Sequence, residues 1–242
     1  MVIKGALTFP GDKSISHRAL MFAALADGES RISNLSTGAD VQSTRECLEA
    51  CGIEIKDDGN DVVVKGEQFS DPTKPLDCGN SGTTTRLLLG LLAGQGINAT
   101  LVGDDSLSSR PMNRILDPLS QMGLISESND GKLPITIHKS DMTGIHYESP
   151  VASAQIKSAV FLAALGASGK TSFKEPILSR DHTEKMLHGL GANISIDGLT
   201  ATISNLTSPL SNFEISVPGD PSTAAFFAAS AALVPNSEIV LN

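Results

Sequence analysis

Residues 18–26, with the sequence RALMFAALA, form a stretch that would be apolar on nearly every face of a helix. Two similar stretches follow, RLLLGLLA at residues 86–93 and KSAVFLAAL at residues 157–165. A helix that is apolar all round must be buried on every side. The sequence therefore predicts three buried helices at the centre of the fold. Each of them runs toward a glycine, which is Gly28, Gly96 or Gly169.

A second marker recurs with nearly the same spacing. The pattern Leu-x-x-x-Gly ends a helical segment at Gly52, at Gly123 and at Gly191. These glycines are 71 and 68 residues apart, while the glycines that follow the apolar stretches are 68 and 73 residues apart. Self-similarity at a fixed period indicates repeated structural units. Together the two markers predict three units of about 70 residues, in which glycine provides a left-handed C-cap after each helix.

Each unit is predicted to run helix, strand, helix, strand. Alternating stretches such as DVVVK at residues 61–65 and ITIH at residues 135–138 are typical of strands. The second helix of each unit is amphipathic and is expected to lie outside the buried one. We therefore expect one α/β domain over residues 12–218. It should have pseudo-threefold symmetry, with three parallel buried helices surrounded by sheets and amphipathic helices.

Composition argues against several classes of function. With 18 basic and 27 acidic residues the net charge is −9, which argues against nucleic-acid binding through bulk electrostatics. The longest apolar stretch, residues 224–234, is too short for a membrane span, which needs about 20 residues. Three cysteines without paired spacing indicate a reduced, cytoplasmic protein. The histidines show no spacing typical of a metal site.

If the three buried helices are parallel, their N-termini lie on one face of the domain. Each N-terminus carries unpaired N–H groups and about half a positive charge. The segments GDKSISHR at 11–18, GNSGTTTR at 79–86 and SAQIK at 153–157 supply hydroxyl, amide and cationic groups at these N-termini. This combination is typical of sites for phosphates and carboxylates. Taken singly, the same serines and threonines would be interpreted as ordinary helix caps.

Three cations and one histidine lie near predicted helix starts. Lys13 and Arg18 flank the start of a buried helix, where a solvated charge is hard to accommodate. Arg110 precedes Pro111, so we expect Arg110 to be extended at a helix start with Pro111 at the first helical position. The alternative for Arg110 is a surface arginine on a loop. His17 is expected to be a hydrogen-bonding partner rather than a catalytic group.

The chain is similar to the 5-enolpyruvylshikimate-3-phosphate synthase family over its whole length. In chain order, the matching segments are GDKSISHR at 11–18, GNSGT at 79–83, SRPM at 109–112, SAQIK at 153–157, SRDHTE at 179–184 and GDPST at 219–223. The resemblance implies the enolpyruvyl transferase fold, with the active site in a cleft between two domains of three repeats each. It implies a transferase of the shikimate pathway, which leads to chorismate and the aromatic amino acids. It also implies that no metal or organic cofactor is needed.

The implied reaction moves the enolpyruvyl group of phosphoenolpyruvate to the 5-hydroxyl of shikimate 3-phosphate and releases phosphate. By position, Lys13 is implied to contact both substrates and to assist proton transfer. The implied contacts of shikimate 3-phosphate are Lys13, Ser14, Arg18, Ser153, Ala154, Gln155, Ser179 and Arg180. The implied contacts of phosphoenolpyruvate are Lys13, Asn80, Gly82, Arg110 and Gln155.

Family members are longer than this chain, which affects what it is expected to do alone. Residues 1–11 and 219–242 are expected to be the beginnings of a second, largely absent C-terminal domain. That domain would supply further acid–base and phosphoenolpyruvate-binding groups, so the chain alone is expected not to turn over. Two alternatives remain open. One is the sister transferase that acts on UDP-N-acetylglucosamine, and the other is a non-catalytic phosphate-binding half-domain.

Overall fold

The computed structural model describes residues 2–242 of the chain. The first elements are β1 (Lys4–Leu7), α1 (Lys13–Ala24), β2 (Ala26–Ser33), α2 (Ala39–Ala50), β3 (Glu54–Asp58) and β4 (Asp61–Gly66). They are followed by β5 (Leu76–Asp77), α3 (Gly82–Gly94), β6 (Ala99–Val102), α4 (Asp105–Ser108), α5 (Asn113–Gln121), β7 (Ile125–Asn129) and β8 (Lys132–His138). Next come β9 (His146–Glu148), α6 (Ala154–Ala164), β10 (Lys170–Lys174), α7 (His182–Gly189), β11 (Ile194–Asp197) and β12 (Thr200–Ser204). The last elements are β13 (Leu210–Ser211), β14 (Glu214–Ser216), α8 (Pro221–Leu233) and β15 (Glu238–Leu241).

The three apolar helices α1, α3 and α6 form the core, as the sequence predicts. Every residue of α1 from Ser16 to Ala24 is buried, and Phe22 and Phe161 are fully enclosed. Helices α3 and α6 approach closely, since a Cβ added at Gly90 would lie 2.0 Å from the carbonyl oxygen of Ala159. Only glycine permits this contact. The core is therefore a close helix–helix packing rather than a loose apolar cluster.

Three sheets lie around these helices and share one pairing pattern. The strand after each apolar helix, β2, β6 or β10, pairs antiparallel with the second strand of a hairpin. The hairpins are β3–β4, β7–β8 and β11–β12. On its other side the same strand pairs parallel with short strands from elsewhere in the chain, which are β13 and β14, β5, and β9 respectively.

The prediction of one strand after each amphipathic helix is wrong, because each of these helices is followed by a hairpin of two strands. The turns are two residues long, at 59–60, 130–131 and 198–199. Each contains a glycine with positive φ, at Gly59, Gly131 and Gly198. Tight two-residue turns favour this conformation. The glycine-containing turns were therefore the signal for the additional strand.

The amphipathic helices α2, α5 and α7 lie outside the core, as predicted. Helix α2 buries one side through Val41, Thr44, Cys47 and Leu48 and exposes most of the other. The predicted left-handed caps are confirmed after these helices, at Gly52, Gly123 and Gly191, which have φ of +91°, +106° and +87°.

Only one of the caps predicted after the apolar helices is confirmed. Gly96, with φ of +65°, follows the C-cap residue of α3. Gly28 lies inside β2 and Gly169 lies in a turn before β10, so neither of them caps a helix.

The two chain ends described by the structure lie together. Strand β1 pairs in parallel with β15, and Gly11 bridges to Gly219. Helix α8 is apolar but buries none of its residues, and Phe226 is 77% exposed. Within residues 2–242, no helix has the length and apolarity required to cross a membrane.

Candidate functional site

The N-terminus of α1 places one exposed and one buried cation at the same helix end. Asp12 caps the helix by accepting the Ile15 N–H at 2.8 Å. The Lys13 side chain is 48% exposed, and its Nζ lies 2.9 Å from a carboxylate oxygen of Asp40. Arg18, one turn further along, is only 4% exposed.

Arg18 is held by three hydrogen bonds from different atoms of its guanidinium. Nε donates to Thr183 Oγ1 at 2.8 Å, Nη1 to the Ser14 carbonyl at 2.8 Å, and Nη2 to Ser158 Oγ at 2.7 Å. Burial lowers the pKa of Arg18 to about 10, so the group stays charged at neutral pH. The fold therefore fixes a positive charge where α1, α6 and α7 meet.

The loop before α3 is joined to Arg110. The Asn80 side chain donates to Asp104 at 2.7 Å and accepts from Arg110 Nη2 at 2.7 Å. A Cβ added at Gly82 would lie 2.5 Å from Nη1 of Arg86 and 3.5 Å from Nη1 of Arg110. The absence of a side chain at Gly82 therefore leaves room for the guanidinium of Arg86, whereas the contact with Arg110 would be an ordinary one.

The predicted local structure around Arg110 needs correction. The short helix α4 precedes it, and the Arg110 N–H donates to the Leu107 carbonyl at 3.0 Å, so the residue lies in a turn. Pro111 is not the first helical residue, because α5 begins at Asn113. The turn at Arg110 follows from α4, which Asp104 caps by accepting the Leu107 N–H at 2.7 Å through its carboxylate.

Gln155 joins the start of α6 to the start of α3. Its Oε1 accepts from Arg86 Nη1 at 3.2 Å, and its Nε2 donates to Thr83 Oγ1 at 3.1 Å. Ser153 caps α6 by accepting the Ile156 N–H at 3.4 Å. The polar side chains at these two helix starts are therefore in direct contact, although 69 and 72 residues separate the bonded pairs.

Most of the predicted site residues line two adjoining cavities. The first has a volume of about 500 Å³, and among the residues that line it are Lys13, Ser14, Arg18, Ala154, Gln155 and Arg180. The second has a volume of about 390 Å³, and among its lining residues are Arg110, Ser153 and Gln155. Gln155 lines both. Asn80 and Gly82 line neither cavity but lie against Arg110.

Ser179 lies beside the first cavity without lining it. It precedes Arg180, and its Oγ is buried and without a hydrogen-bond partner among the described residues. Sequence reasoning missed several lining residues, which are Asp12, Thr83, His182, Asp220, Ser222, Thr223 and Phe226 in the first cavity.

The sequence analysis assigned no ligand contact to two arginines of the second cavity. Arg86 and Arg114 line it together with Arg110. Burial, together with the charges of Arg110 and Arg114, lowers the pKa of Arg86. None of the three makes an ion pair with a carboxylate within residues 2–242. A signal for Arg86 was present, because it is a charged residue near the start of an otherwise apolar helix.

Comparisons with known proteins identify the family of this chain. A family model described as EPSP synthase (3-phosphoshikimate 1-carboxyvinyltransferase) matches residues 2–242. The chain belongs to the EPSP synthase family. The resemblance found in the sequence motifs is thereby confirmed.

Relatives and solved structures of the family share both sequence and fold with this chain. It is 48% identical over 244 residues to the 3-phosphoshikimate 1-carboxyvinyltransferase of Bacillus cytotoxicus, which covers 99% of this chain and 57% of the relative. The enzyme of that name from Geobacillus thermodenitrificans is 49% identical. The EPSP synthase structure from Acinetobacter baumannii superposes with a TM-score of 0.90 at 38% identity, covering 99% of this chain and 55% of that one.

The chain therefore spans little more than half the length of the relatives and structures that it matches. Its mixed α/β architecture is the one seen in EPSP synthase structures.

Proposed function

We propose that this chain binds shikimate 3-phosphate and phosphoenolpyruvate for transfer of the enolpyruvyl group to the 5-hydroxyl of shikimate 3-phosphate. The observation that carries the proposal is the concentration of cations at two adjoining cavities, where Lys13, Arg18 and Arg180 line one and three arginines line the other. The chain as a whole has a net charge of −9. A local excess of positive charge in an acidic protein favours polyanionic ligands.

The proposed architecture is a domain of three repeats with pseudo-threefold symmetry and parallel buried helices. The shared pairing pattern of the three sheets supports it. The positions of the helix ends also support it, because residues from the first turns of α1, α3 and α6 line one cavity. Residues from their C-terminal ends, such as Leu25, Gln95 and Leu165, line another. Parallel helices would direct three positive dipole ends at the proposed substrates.

The proposed shikimate 3-phosphate site lies at the starts of α1 and α6 and at the loop before α7. It comprises Lys13, Ser14, Arg18, Ser153, Ala154, Gln155, Ser179 and Arg180. The buried guanidinium of Arg18 supplies a fixed charge, and Ser179 adds a hydroxyl group next to Arg180. Charge-assisted hydrogen bonds of this kind suit a phosphate group.

The proposed phosphoenolpyruvate site comprises Lys13, Asn80, Gly82, Arg110 and Gln155. In the proposed reaction a proton is added to the methylene carbon, and the 5-hydroxyl oxygen attacks the neighbouring carbon as the hydroxyl proton is lost to a base. Phosphate then leaves the tetrahedral intermediate as a proton is lost from the new methyl group. Lys13 is proposed to assist proton transfer, because it lines the first cavity and its side chain is 48% exposed. Fixed cations would stabilise the charge that develops during these steps.

The proposed domain boundary lies at the pairing of Gly11 with Gly219. Two backbone hydrogen bonds accompany it, from Asp12 N–H to the Pro218 carbonyl at 2.7 Å and from Asp220 N–H to the Pro10 carbonyl at 3.1 Å. Residues 12–218 would form the substrate-binding domain, and residues 1–11 and 219–242 would belong to a second domain. Because the matched relatives are longer, we expect this chain to bind shikimate 3-phosphate without turnover.

Calorimetric titration of the 242-residue chain with shikimate 3-phosphate tests the proposal, together with an assay of phosphate release in the presence of both substrates. We expect saturable binding of shikimate 3-phosphate and no phosphate release. Turnover by this chain would contradict the expected inactivity but not the assignment. Binding of UDP-N-acetylglucosamine instead would favour the sister transferase. Equal binding of inorganic phosphate and shikimate 3-phosphate would favour a non-catalytic phosphate-binding module.

A further inference from the structure

A buried cluster of three charged residues lies behind the proposed shikimate 3-phosphate site. Nζ of Lys157 lies 2.7 Å from Oε1 of Glu175 and 2.5 Å from Oε1 of Glu184. All three side chains are at most 4% exposed. Burial of charges is costly unless they are paired and hydrogen-bonded. Because these three charges are buried, they do not serve the solubility of the surface and must have another role.

The cluster connects the three chain segments that carry the proposed site. Lys157 belongs to the first turn of α6, which follows Ser153 and Gln155. Glu184 belongs to the first turn of α7. Glu175 lies between β10 and the loop of residues 176–181, which contains Ser179 and Arg180.

Glu175 makes a second contact that ties this loop to the cluster. Its Oε1, the atom that pairs with Lys157, also accepts the backbone N–H of Ser179 at 3.1 Å. Burial works against the charge of the Glu175 carboxyl, but Lys157 and Ser179 keep its pKa below the ordinary value. The acceptor is therefore an ionised oxygen, which makes a stronger hydrogen bond than a neutral one.

Loop 176–181 has little else to hold its backbone. Ile177 is 68% exposed and Leu178 is 71% exposed, so the apolar side chains of the loop do not anchor it in the core. Within the described part of the chain, no backbone–backbone hydrogen bond involves residues 176–180. A segment with so few ties would open easily.

We propose that Glu175 is a positioning residue, which clamps loop 176–181 to Lys157 and thereby fixes Ser179 and Arg180 at the shikimate 3-phosphate end of the site. Glu175 does not touch the substrate. Glu184 supplies the second counter-charge for Lys157 and places the start of α7. The clamp thus makes one ligand-binding surface from α6 and the loop. This inference rests on the proposed function for the identity of the ligand, but not for the behaviour of the loop.

The substitution Glu175→Ala removes the acceptor but leaves Lys157 and Glu184 as a buried pair of opposite charge. Glu175→Gln keeps a carbonyl oxygen that can accept from Ser179. We expect Glu175→Ala to speed hydrogen exchange at the Ser179 amide and to weaken shikimate 3-phosphate binding, each by about tenfold, as for a hydrogen bond to a charged group. We expect Glu175→Gln to stay within about threefold of the unsubstituted chain in both measurements.

The matched control is Glu148→Ala, which makes the same chemical change in an exposed ion pair with Lys174 on the neighbouring strands. It should alter neither the exchange of the Ser179 amide nor the affinity. Equal effects of Glu175→Ala and Glu175→Gln, or no effect of either, would overturn the clamp.

The exchange measurement also separates the clamp from the proposed function, because it needs no ligand. In the unsubstituted chain, the Ser179 amide should be more protected than the amides of Ile177 and Leu178. Equal exchange at the three amides would overturn the clamp, even if Glu175→Ala does not fold. Slow exchange at Ser179 in a chain that does not bind shikimate 3-phosphate would support the clamp and overturn the ligand assignment.

Discussion

Arg18 of the first cavity differs in burial from the three arginines of the second cavity. Arg18, in the first cavity, is 4% exposed and hydrogen-bonds to the protein through Nε, Nη1 and Nη2. Arg86, Arg110 and Arg114, in the second, are all at least partly exposed and make no ion pair with a carboxylate within residues 2–242. The first cavity therefore has a cation fixed by the fold, while the second has a cluster of like charges that an anion would neutralise.

This difference means that the two cavities should respond differently to substitution. A buried cation with three protein partners contributes to folding as well as to ligand binding, so its loss should affect both. A partly exposed cation without a carboxylate partner contributes little to folding. Loss of an arginine from the second cavity should therefore change the binding free energy and leave the free energy of unfolding nearly unchanged.

The largest effect is expected for Arg18→Ala. This substitution removes three hydrogen bonds of a buried charged donor, so the free energy of unfolding should fall by about 2–4 kcal/mol. Binding of shikimate 3-phosphate should weaken by at least about a hundredfold. Urea denaturation and calorimetric titration measure the two effects.

Arg114→Ala is the matched control for stability, because it removes an exposed arginine from the second cavity. Its free energy of unfolding should change by less than about 0.5 kcal/mol. Equal losses of stability for Arg18→Ala and Arg114→Ala would remove the distinction between the cavities.

A smaller effect, confined to binding, is expected for Arg110→Ala. The affinity for phosphoenolpyruvate, measured with shikimate 3-phosphate present, should fall by about 1.5–3 kcal/mol, as for loss of a hydrogen bond to a charged group. Stability should change much less than for Arg18→Ala, because the three hydrogen bonds that are lost, two to Asn80 and one to Ser106, are exposed. A fall in the urea midpoint as large as that of Arg18→Ala would show that Arg110 is a folding element instead.

The next effect concerns His17 of α1, which is linked through hydrogen bonds to α2 and α3. Its Nδ1 is 2.6 Å from Thr44 Oγ1, and that hydroxyl is 2.8 Å from Thr84 Oγ1 in α3. Burial lowers the pKa of His17 from 6.5 to about 3. Between these values the unfolded chain binds a proton that the folded chain does not, so stability falls as the pH falls.

The contribution of His17 should approach 1.4 kcal/mol for each pH unit between about pH 6 and pH 4, the free-energy equivalent of one pKa unit. Urea denaturation of the unsubstituted chain and of His17→Asn across this range isolates the contribution of His17, because the carboxylates titrate in both chains. We expect His17→Asn to show a flatter dependence on pH. Parallel curves would mean that His17 is protonated in the folded chain.

The sequence predicts the core well because its signal is local. The residues of α1, α3 and α6 are apolar all round, and such a helix favours burial on every side. Helix α8 has the same pattern but buries none of its residues, so the pattern alone does not place a helix in the core. The same locality explains why Lys13 and Arg18 could be placed at a helix start. Both lie within six residues of the cap at Asp12.

The contacts that complete the site were not predicted, because they join residues far apart in the sequence. Arg86 meets Gln155 across 69 residues, and Arg18 meets Thr183 across 165. Neither pair has a spacing that a local pattern reveals. The ion pair of Lys157 and Glu175 spans the rest of α6, a turn and β10, so its two members carry no shared periodicity.

The smallest effect is expected for Asp40→Asn. Asp40 pairs with Lys13 at 2.9 Å, and both side chains are substantially exposed. An exposed pair contributes about 0–1 kcal/mol to stability, so the urea midpoint should change little. Shikimate 3-phosphate should bind more tightly by less than about 1 kcal/mol, because Lys13 no longer pairs with a carboxylate that repels the ligand.

A double-mutant cycle with Lys13→Met shows how Asp40 acts. If the carboxylate competes with the ligand for Lys13, Asp40→Asn should improve affinity only while Lys13 is present. If it acts through its negative charge near the cavity, the gain should persist in Lys13→Met. In the first outcome Lys13 changes partner on binding, whereas Arg18 keeps its protein hydrogen bonds. The second would place Lys13 with the arginines of the second cavity, whose charge does not depend on a protein partner.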